Sequence, residues 1–370
     1  MSKRTRDAGL DAARGLAMGL MILVNNAGDW SHVYAPLRHA EWHGFTLADL
    51  VFPLFLWVSG AAAAWSLARL RDEVAVGKVT HSAGSKALRR CLTLFGLGLL
   101  LNAIPTWDWS TLRVYGVLQR IALVALFLWF WARTMPRQRD LAGAVVLLVV
   151  WMLLLIVPEQ GLDKALNLGA QVDRWSVGQA HLYLQGVYDP EGLLSTLGAC
   201  ATGLLGLHAG ERIRAAATQS PLHTGTRAVL RFGAACLLSG LALSLLVPIN
   251  KPLWTSSFVL WTAGLCSAVW WLLSRASSHM WWRYPHELLV AMGHNALLLY
   301  VGAGFLARAL LWWKLPWQGG ESSARNVLYQ TYYAPLTEPH LASLLFAASN
   351  LLIWCPLLMW LHRKGWRWSA

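Results

Sequence analysis

Charge is what this chain has least of. Charged residues make up 13% of its 370 residues, whereas hydrophobic residues make up 56%. A soluble domain carries about 25% charged residues, so the composition excludes an ordinary soluble protein. A membrane-spanning helix needs about 20 mostly apolar residues, and the chain has room for roughly ten of them. We therefore predict an all-α protein, a polytopic bundle of about ten transmembrane helices that occupies residues 1–370 as one domain.

Cysteine is also scarce, and its placement indicates no disulfide framework. The five cysteines lie inside apolar segments without a short repeated spacing, which also argues against a thiolate metal site. They are Cys91, Cys200, Cys236, Cys266 and Cys355. Internal repeats, low-complexity tracts and the glycine-rich fingerprints of phosphate loops and dinucleotide-binding folds are missing as well. The sequence therefore does not suggest an ATPase or a Rossmann enzyme.

Acidic residues are outnumbered, because 18 Asp and Glu face 31 Lys and Arg, which gives a net charge of +13. In a soluble protein this excess would suggest nucleic acid, but here the basic residues gather in alternate segments between apolar runs. These segments are residues 3–6, 69–90, 133–139, 212–231, 275–283 and 363–367. The ten apolar runs cover residues 8–26, 46–70, 87–104, 113–132, 140–158, 192–209, 227–247, 253–274, 286–312 and 340–362. By the positive-inside rule both termini are predicted to be cytoplasmic, and no nucleic-acid partner is expected.

Small residues recur in the sixth apolar run, LGACATGLLGLHAG. Gly198, Gly203, Gly206 and Gly210 have spacings that allow helices to approach one another closely. We interpret them as packing positions rather than as ligand positions.

Ionisable residues inside membrane helices are costly to bury and therefore mark sites of structure or function. Asp11 and Arg14 are three residues apart in the first run, so their side chains can meet on one helix face. We favour a structural ion pair near the cytoplasmic end. Arg120 has no carboxylate within one helical turn in the sequence. It therefore requires a partner on another helix or an anionic ligand, and both possibilities stay open.

The stretch LRHAEWHGFTLADLVFP places His39 and His43 shortly before Asp49, at the outer end of the second run. Asp49 can cap the helix there, and it can also orient an imidazole for proton transfer. Asn25 lies at the end of the first run on the same side, where its amide could bind an oxyanion or position an amine. Two alternatives remain: the histidines could ligate zinc, although no third ligand is evident, or they could be interfacial residues without chemistry.

The second half of the chain contains one comparable pair. His294 and Asn295 are adjacent in the ninth apolar run, where both could line the same cavity. A histidine beside a polar neighbour is also common as a hydrogen-bonded core group, so the sequence leaves both interpretations open.

Several segments together resemble one known family. LDAARGLAMGLMILVNN, LRHAEWHGFTLADLVFPLFLWVSG, LRVYGVLQRIAL, YDPEGLLSTLGACATGLLGLHAG, VPINKPLWTSSFVL and GHNALLLYVG occur in an order similar to that of the heparan-α-glucosaminide N-acetyltransferase family. The likeness extends from about Leu10 to Val301, and HAEWHG and DLVFP are its most specific parts.

The resemblance implies an enzyme that moves the acetyl group of cytosolic acetyl-CoA to an amino sugar across the membrane. It implies that His39 is the catalytic histidine, assisted by Asn25 and Asp49. It also matches Arg120 to a family arginine, for which the phosphates of acetyl-CoA are a candidate ligand. The residues predicted to bind acetyl-CoA are Arg14, Arg120, His294 and Asn295.

Two mechanisms fit this assignment. His39 could attack the thioester to form an acetyl-imidazole, or it could remove a proton from the amine during direct transfer. We favour direct transfer, with Asn25 holding the amine or carbonyl and Asp49 fixing the imidazole. His39 must then be partly neutral near pH 7, which an unperturbed pKa of about 6.5 allows.

Other functions use the same polar groups. A transporter for a small sugar or acid is one, although the sequence shows no evident paired halves. An O-acyltransferase of a cell-surface glycan and a structural scaffold are the others. The predicted partners are acetyl-CoA, an amino sugar or oligosaccharide and membrane lipid, and the resemblance suggests a homodimer. Short loops suit a bacterial inner membrane.

Overall fold

Helices make up about 72% of the chain, which confirms the predicted all-α, polytopic class. The computed structural model describes residues 7–77, 81–219, 223–276 and 279–368. Lys3, Arg4, Arg6 and Lys78, which contributed to the topology prediction, lie outside these residues. The helices are α1 (Ala8–Asn25), α2 (Leu47–Ala75), α3 (His81–Ala103), α4 (Val117–Thr134), α5 (Asp140–Ile156), α6 (Leu168–Val177), α7 (Thr196–Gln219), α8 (His223–Leu243), α9 (Ser256–Ala276), α10 (Arg283–His294), α11 (Ala296–Trp312), α12 (Ala324–Leu328), α13 (Pro339–Leu352) and α14 (Cys355–Arg363).

Not every long helix is apolar throughout. Within the described residues, seven helical segments are long and apolar enough to cross a membrane, and the bent pair α10 and α11 would add an eighth. The helices α3 and α7 have 23 and 24 residues, which is enough to span, but each carries several charged residues. The predicted total of ten spans, which includes α3 and α7, therefore stays a prediction, as does the cytoplasmic location of both termini.

The centre of the bundle is α2, which contacts α1, α4, α7 and α9. Its Trp57 side chain is fully buried. The approach of α7 is so close that a Cβ atom added to Gly206 would lie 2.1 Å from the backbone oxygen of Trp57. A Cβ added to Gly210 would lie 2.1 Å from the oxygen of Ala61. The interpretation of these glycines as packing positions is therefore confirmed.

The ninth predicted span, residues 286–312, is wrong as one straight helix. It consists of α10 and α11, which meet at an angle of 81°. Asn295 separates them with φ −120° and ψ 34°, which lie outside the helical region. Its side-chain oxygen accepts a hydrogen bond from the backbone of Trp368 at 2.8 Å, so this amide serves the C-terminal segment. The tenth predicted span, residues 340–362, agrees with a single candidate span, Pro339–Arg363, within which a short turn at residues 353–354 separates α13 from α14.

Two segments that the sequence indicated only as loops contain ordered elements. The loop after α5 includes α6, and the side chain of Asn167 caps this helix by accepting a hydrogen bond from the backbone of Ala170 at 2.8 Å. The loop after α11 contains the antiparallel strands β1 (Lys314–Trp317) and β2 (Gly320–Ser323). The first loop contacts the segment before α2, where the Trp42 indole donates to the oxygen of Leu162 at 3.0 Å. The second contacts the same segment just after α1, where Arg325 donates to the oxygen of Gly28 at 3.3 Å.

Candidate active site

His39 and Asp49 form a direct hydrogen bond, as the sequence suggested. Nδ1 of His39 lies 2.9 Å from Oδ1 of Asp49. The carboxylate is almost fully buried at the start of α2, whereas 44% of the histidine side chain is exposed. The pair therefore combines a fixed, buried anion with an imidazole that a substrate can reach.

The other oxygen of Asp49 is occupied by the chain itself. Oδ2 accepts hydrogen bonds from the backbone of Ala40 at 3.2 Å and from the backbone of Thr46 at 3.0 Å. The Thr46 hydroxyl donates a third bond at 3.1 Å. Asp49 thus closes the first turn of α2 and holds the preceding loop, which fixes the position of His39.

The contact with Asp49 also determines the tautomer that we assign to His39. An ionised carboxylate can only accept hydrogen bonds, so Nδ1 carries the proton and donates a hydrogen bond to Oδ1. Nε2 then keeps its lone pair and can accept a proton from a substrate. This is the arrangement that a general base of the histidine type requires.

A third residue, Lys251, lies at the same point. Its Nζ atom is 3.1 Å from Nδ1 and 3.3 Å from Nε2 of His39, and 3.6 Å from Oδ1 of Asp49. Lys251 belongs to the loop between α8 and α9, and burial lowers the pKa of its ammonium group. We refer to His39, Asp49 and Lys251 together as the His39 site.

The loop that carries Lys251 is held by its neighbour Asn250. The Asn250 side chain is fully buried, and its oxygen accepts a hydrogen bond from the backbone of Leu253 at 2.7 Å. Its amide nitrogen lies 3.3 Å from Nδ1 of His43. The backbone of Gly44 donates to the oxygen of Ile249 at 2.8 Å. The loop before α2 and the loop before α9 are therefore tied together, which brings Lys251 to His39.

His43 serves this connection rather than forming a pair with His39. Burial lowers the pKa of His43. Within the described ranges, no group of three or more His, Cys, Asp or Glu side chains is arranged to hold a metal ion. The two histidines of the HAEWHG segment thus have different surroundings, one facing Asp49 and the other Asn250.

Aromatic and charged side chains border the His39 site. The rings of Trp42 and Tyr188 meet edge to face with centroids 5.1 Å apart. The Lys164 ammonium lies 5.9 Å and 5.4 Å from their respective centroids. Nearby, Arg113 forms an ion pair of 2.5 Å with Asp189, which fixes the loop that carries Tyr188. This wall therefore combines aromatic rings with charged groups.

Asn25, the third predicted catalytic residue, ends α1 at the same side of the bundle. Its side chain is exposed and forms no hydrogen bond with His39 or Asp49 within the part of the chain that the structure describes. Its neighbour Asn26 donates a hydrogen bond to the oxygen of Ile22 at 2.8 Å. The role of Asn25 in catalysis stays a prediction.

Arg120 lies near the His39 site, at the first turn of α4. It is fully buried, and its Nη2 donates to the backbone oxygen of Gly192 at 3.0 Å and to the Ser195 hydroxyl. The guanidinium packs over the Trp254 ring at 5.0 Å. Neither Nη1 nor Nε has a hydrogen-bond partner among the described residues. The sequence left the partner of Arg120 open. The structure shows that its guanidinium donates to neutral oxygens and not to a carboxylate.

Arg14 and His294, two of the other residues predicted to bind acetyl-CoA, meet at Asp11 near the start of α1. Arg14 forms the predicted ion pair with Asp11 at 2.7 Å. His294 Nε2 lies 3.1 Å from the second Asp11 oxygen, and its Nδ1 lies 3.1 Å from Nδ1 of His362. We refer to Asp11, Arg14, His294 and His362 as the His294 cluster. It lies near the beginning of α1, whereas the His39 site lies beyond its end.

A cavity of about 480 Å³ adjoins the His294 cluster. It lies beside the break between α10 and α11, and the residues that line it are Asn295, Leu298, Leu361, Trp366, Arg367 and Trp368. Asn295 lines this cavity, whereas His294 is not among its lining residues, so the structure does not bear out the prediction that the two share one cavity. The four predicted acetyl-CoA residues therefore form two groups, with Arg120 separate from the other three.

Lys251 is the residue of this region that the sequence did not identify. In the sequence it is one of the few basic residues in the loops predicted to lie outside. The available signal was its position in VPINKPLW, one of the segments that carry the family resemblance. Its proximity to His39, more than 200 residues away in the chain, follows only from the tertiary structure.

Comparisons with known proteins confirm the family resemblance. The family model described as "Heparan-alpha-glucosaminide N-acetyltransferase, catalytic" matches residues 6–168. The chain is 27% identical over 393 aligned residues to the mouse heparan-alpha-glucosaminide N-acetyltransferase, covering 88% of this chain and 57% of that protein. It is 26% identical over 315 residues to the human protein of the same name, covering 68% and 45%. The chain thus spans about half the length of these relatives.

Proposed function

We propose, from the match of residues 6–168 to the catalytic region of heparan-α-glucosaminide N-acetyltransferases, that this chain is a membrane N-acetyltransferase. Its donor would be cytosolic acetyl-CoA, and its acceptor the amine of a glucosamine-type sugar on the periplasmic side. The observation that carries this proposal is the 2.9 Å contact between His39 and the buried Asp49, inside the matched region. An exposed imidazole whose Nδ1 is held by a carboxylate, so that Nε2 keeps its lone pair, is the group that such a transfer requires.

The proposed reaction is a direct transfer. The neutral amine attacks the thioester carbonyl, so a C–N bond forms while the C–S bond breaks and sulfur keeps the bonding electrons. His39 Nε2 accepts the proton that the amine nitrogen loses. The same proton then passes to the thiolate, which leaves as the free thiol. Asp49 stabilises the imidazolium that exists between these two steps.

The His294 cluster and the adjacent cavity fit the charged end of acetyl-CoA. Arg14 and Arg367 carry positive charge there, and the indoles of Trp366 and Trp368 offer faces for a base. When bound, acetyl-CoA supplies the thioester that donates the acetyl group. Arg14 and Arg367 would hold its phosphates, and Asn295 would hydrogen-bond polar groups nearby.

We further propose a sidedness for the molecule. The alternation of basic segments supports ten crossings with both termini in the cytoplasm, which puts the His294 cluster inside and the His39 site outside. The short loops support a bacterial inner membrane as the location, and residues 1–370 would form one transmembrane domain. A homodimer is proposed by resemblance to the family.

Acetyl transfer by the purified protein in detergent tests the proposal. Labelled acetyl-CoA and glucosamine are incubated with wild type and with His39→Ala, and N-acetylglucosamine is measured. We expect product from wild type and a loss of at least about 100-fold in the variant, since general base catalysis contributes about 10²–10⁴.

The matched control is His32→Ala. His32 lies on the same loop but pairs with Asp29 at 2.7 Å, so this variant should retain wild-type activity. If wild type makes no N-acetylglucosamine, the proposed acceptor or the reaction is wrong. Uptake of sugar into vesicles without acetylation would indicate a transporter, and label on polymer hydroxyls would indicate an O-acyltransferase.

A further inference from the structure

We infer that Lys251 is a positioning residue of the His39 site: its ammonium group favours the neutral, proton-accepting form of the His39 imidazole and holds the ring against Asp49. This inference rests on the proposed function for its consequence in catalysis. The contacts of Lys251 from which we argue do not depend on the proposed function. Lys251 reaches the imidazole from the loop before α9, at 3.1 and 3.3 Å from its two nitrogens.

Lys251 is not needed to satisfy the Asp49 carboxylate. Asp49 already accepts hydrogen bonds from His39, from the backbone of Ala40, and from both the backbone and the hydroxyl of Thr46. A carboxylate offers about four acceptor sites, so these four donors suffice. The distance of 3.6 Å from Nζ to Oδ1 also exceeds the 2.7–2.9 Å of a charge-assisted hydrogen bond. Of these two partners, the imidazole lies nearer to the ammonium than the carboxylate does.

The position of Nζ also differs from that of an ordinary hydrogen-bond donor. Because it lies at nearly equal distances from both ring nitrogens, it is not aligned with the lone pair of either one alone. Nδ1 already donates to Asp49, and Nε2 keeps its lone pair for a substrate. The ammonium thus acts on the ring through its charge without occupying the proton-accepting position.

Two opposite charges consequently act on the imidazole. Asp49 favours the imidazolium, whereas the Lys251 ammonium disfavours a second positive charge at 3.1 Å. Glu191 and Arg120 also act on Lys251 electrostatically, from the loop before α7 and from α4. Without Lys251, the charge of Asp49 would act on the imidazole without an opposing positive charge. A larger fraction of His39 would then be protonated and unable to accept a proton.

Chemical modification of His39 tests this inference without requiring enzyme activity. Diethyl pyrocarbonate reacts with neutral imidazole, so the pH dependence of His39 carbethoxylation, followed by mass spectrometry, reports the neutral fraction. In Lys251→Met, which keeps the chain length and removes the charge, we expect the midpoint to rise by about one pH unit. In Lys251→Arg, which keeps the charge, the midpoint should stay within a few tenths of the wild-type value.

His340, whose side chain is 42% exposed, serves as an internal control in the same samples. It contacts Glu338, His32 and Tyr34 rather than Lys251, so its midpoint should not move. If the Lys251→Met protein does not fold, Lys251→Gln provides the same comparison. A His39 midpoint that is identical in wild type and in the uncharged variant would overturn the inference.

Acetyl transfer supplies the second measurement. In Lys251→Met we expect kcat/KM to fall about tenfold at pH 6 and much less at pH 8, because His39 is neutral in both proteins at high pH. A purely structural role would lower kcat/KM equally at both pH values. If wild type transfers no acetyl group, the proposed function fails, while the carbethoxylation midpoint still decides the role of Lys251.

Discussion

Asp49 performs two tasks with one carboxylate, and substitutions can separate them. Oδ2 closes the first turn of α2, and Oδ1 orients His39. In Asp49→Asn the amide oxygen can still accept a capping bond, but the charge that stabilises the imidazolium is lost. We expect kcat/KM for acetyl transfer to fall about 100-fold or more with little change in thermal stability.

Asp49→Ala is the matched comparison, because it removes the cap as well. It should lose the same activity and in addition about 1 kcal/mol of stability. Thermal unfolding in detergent, followed by tryptophan fluorescence, and the acetyl-transfer assay provide the two measurements. If Asp49→Asn kept wild-type activity, the carboxylate would have only a structural role.

Asp173 offers a prediction about pH. Burial raises its pKa from 3.8 to about 6, while its Oδ1 accepts a hydrogen bond from the backbone of Leu193 at 2.8 Å. Between about pH 4 and 6 the native state then binds more protons than the unfolded state, so this group lowers stability as pH rises through that window. Above pH 6 the buried charge costs at most about 3 kcal/mol.

Asp173→Asn should therefore stabilise the protein at pH 7.5 relative to wild type, since the amide oxygen can keep the bond to Leu193. At pH 4.5, where the native carboxyl is protonated, the two unfolding temperatures should differ much less. An equal difference at both pH values would show that the charge of Asp173 does not affect stability.

Of the residues in and near the His39 site, the sequence predicted the contacts of some and not those of others. His39 and Asp49 are ten residues apart, and the start of a helix between them made their contact foreseeable. Lys251 and Arg120 obtain their surroundings from segments that are distant in the chain, at His39 and Gly192. Local pattern and charge carry no information about such contacts, because they depend on how the helices pack.

Among the helices, α2 and α7 form a contact that leaves no room for an added side chain at Gly206. In Gly206→Ala the new methyl group would meet the backbone oxygen of Trp57, which cannot rotate away as a side chain can. We expect a loss of about 3 kcal/mol or more, at the upper end of overpacking costs, and a reduced yield of folded protein. Thermal unfolding of the purified variant measures this effect.

Gly96→Ala is the control for helix propensity. Gly96 lies within α3, and an added Cβ meets nothing within 4 Å. Alanine is the better helix former, so the unfolding temperature should stay equal or rise. Similar unfolding temperatures for Gly206→Ala and wild type would mean that the helices can separate at little cost.

The broken ninth span shows where prediction of the helices fails. Hydropathy over residues 286–312 indicates one continuous apolar helix, and periodicity gives no sign of a bend. The bend depends on Asn295, whose side chain accepts a hydrogen bond from Trp368 near the end of the chain. A local pattern of apolar residues cannot show that contact, whereas the close glycine spacing of α7 was visible as packing because it is local.

At the scale of the whole molecule, the two polar groups lie at opposite ends of α1. Asp11 and Asn25 are separated by 14 helical residues, or about 20 Å at 1.5 Å per residue. The His294 cluster contacts Asp11, and the His39 site lies beyond Asn25. A donor held at the first group must therefore extend along the bundle to reach the second, which suits a long flexible arm.

The number of crossings decides whether these ends face different compartments, and single cysteines can count them. Exposed positions are Asp108 before α4, Gln138 before α5, Arg283 at the start of α10, and Glu321 after α11. The cysteines are introduced one at a time into a Cys355→Ala background, since the other four native cysteines are buried. A membrane-impermeant maleimide is then added to intact right-side-out membrane vesicles.

With ten crossings, Asp108→Cys and Glu321→Cys should be labelled from outside, whereas Gln138→Cys and Arg283→Cys should react only after permeabilisation. Between Gln138 and Arg283 lie α5, α7, α8 and α9, an even number only if α7 crosses. Labelling of Arg283→Cys without Gln138→Cys would mean that α7 does not cross. Equal accessibility of Arg283→Cys and Glu321→Cys would mean that the bent pair α10 and α11 returns to the side from which it entered.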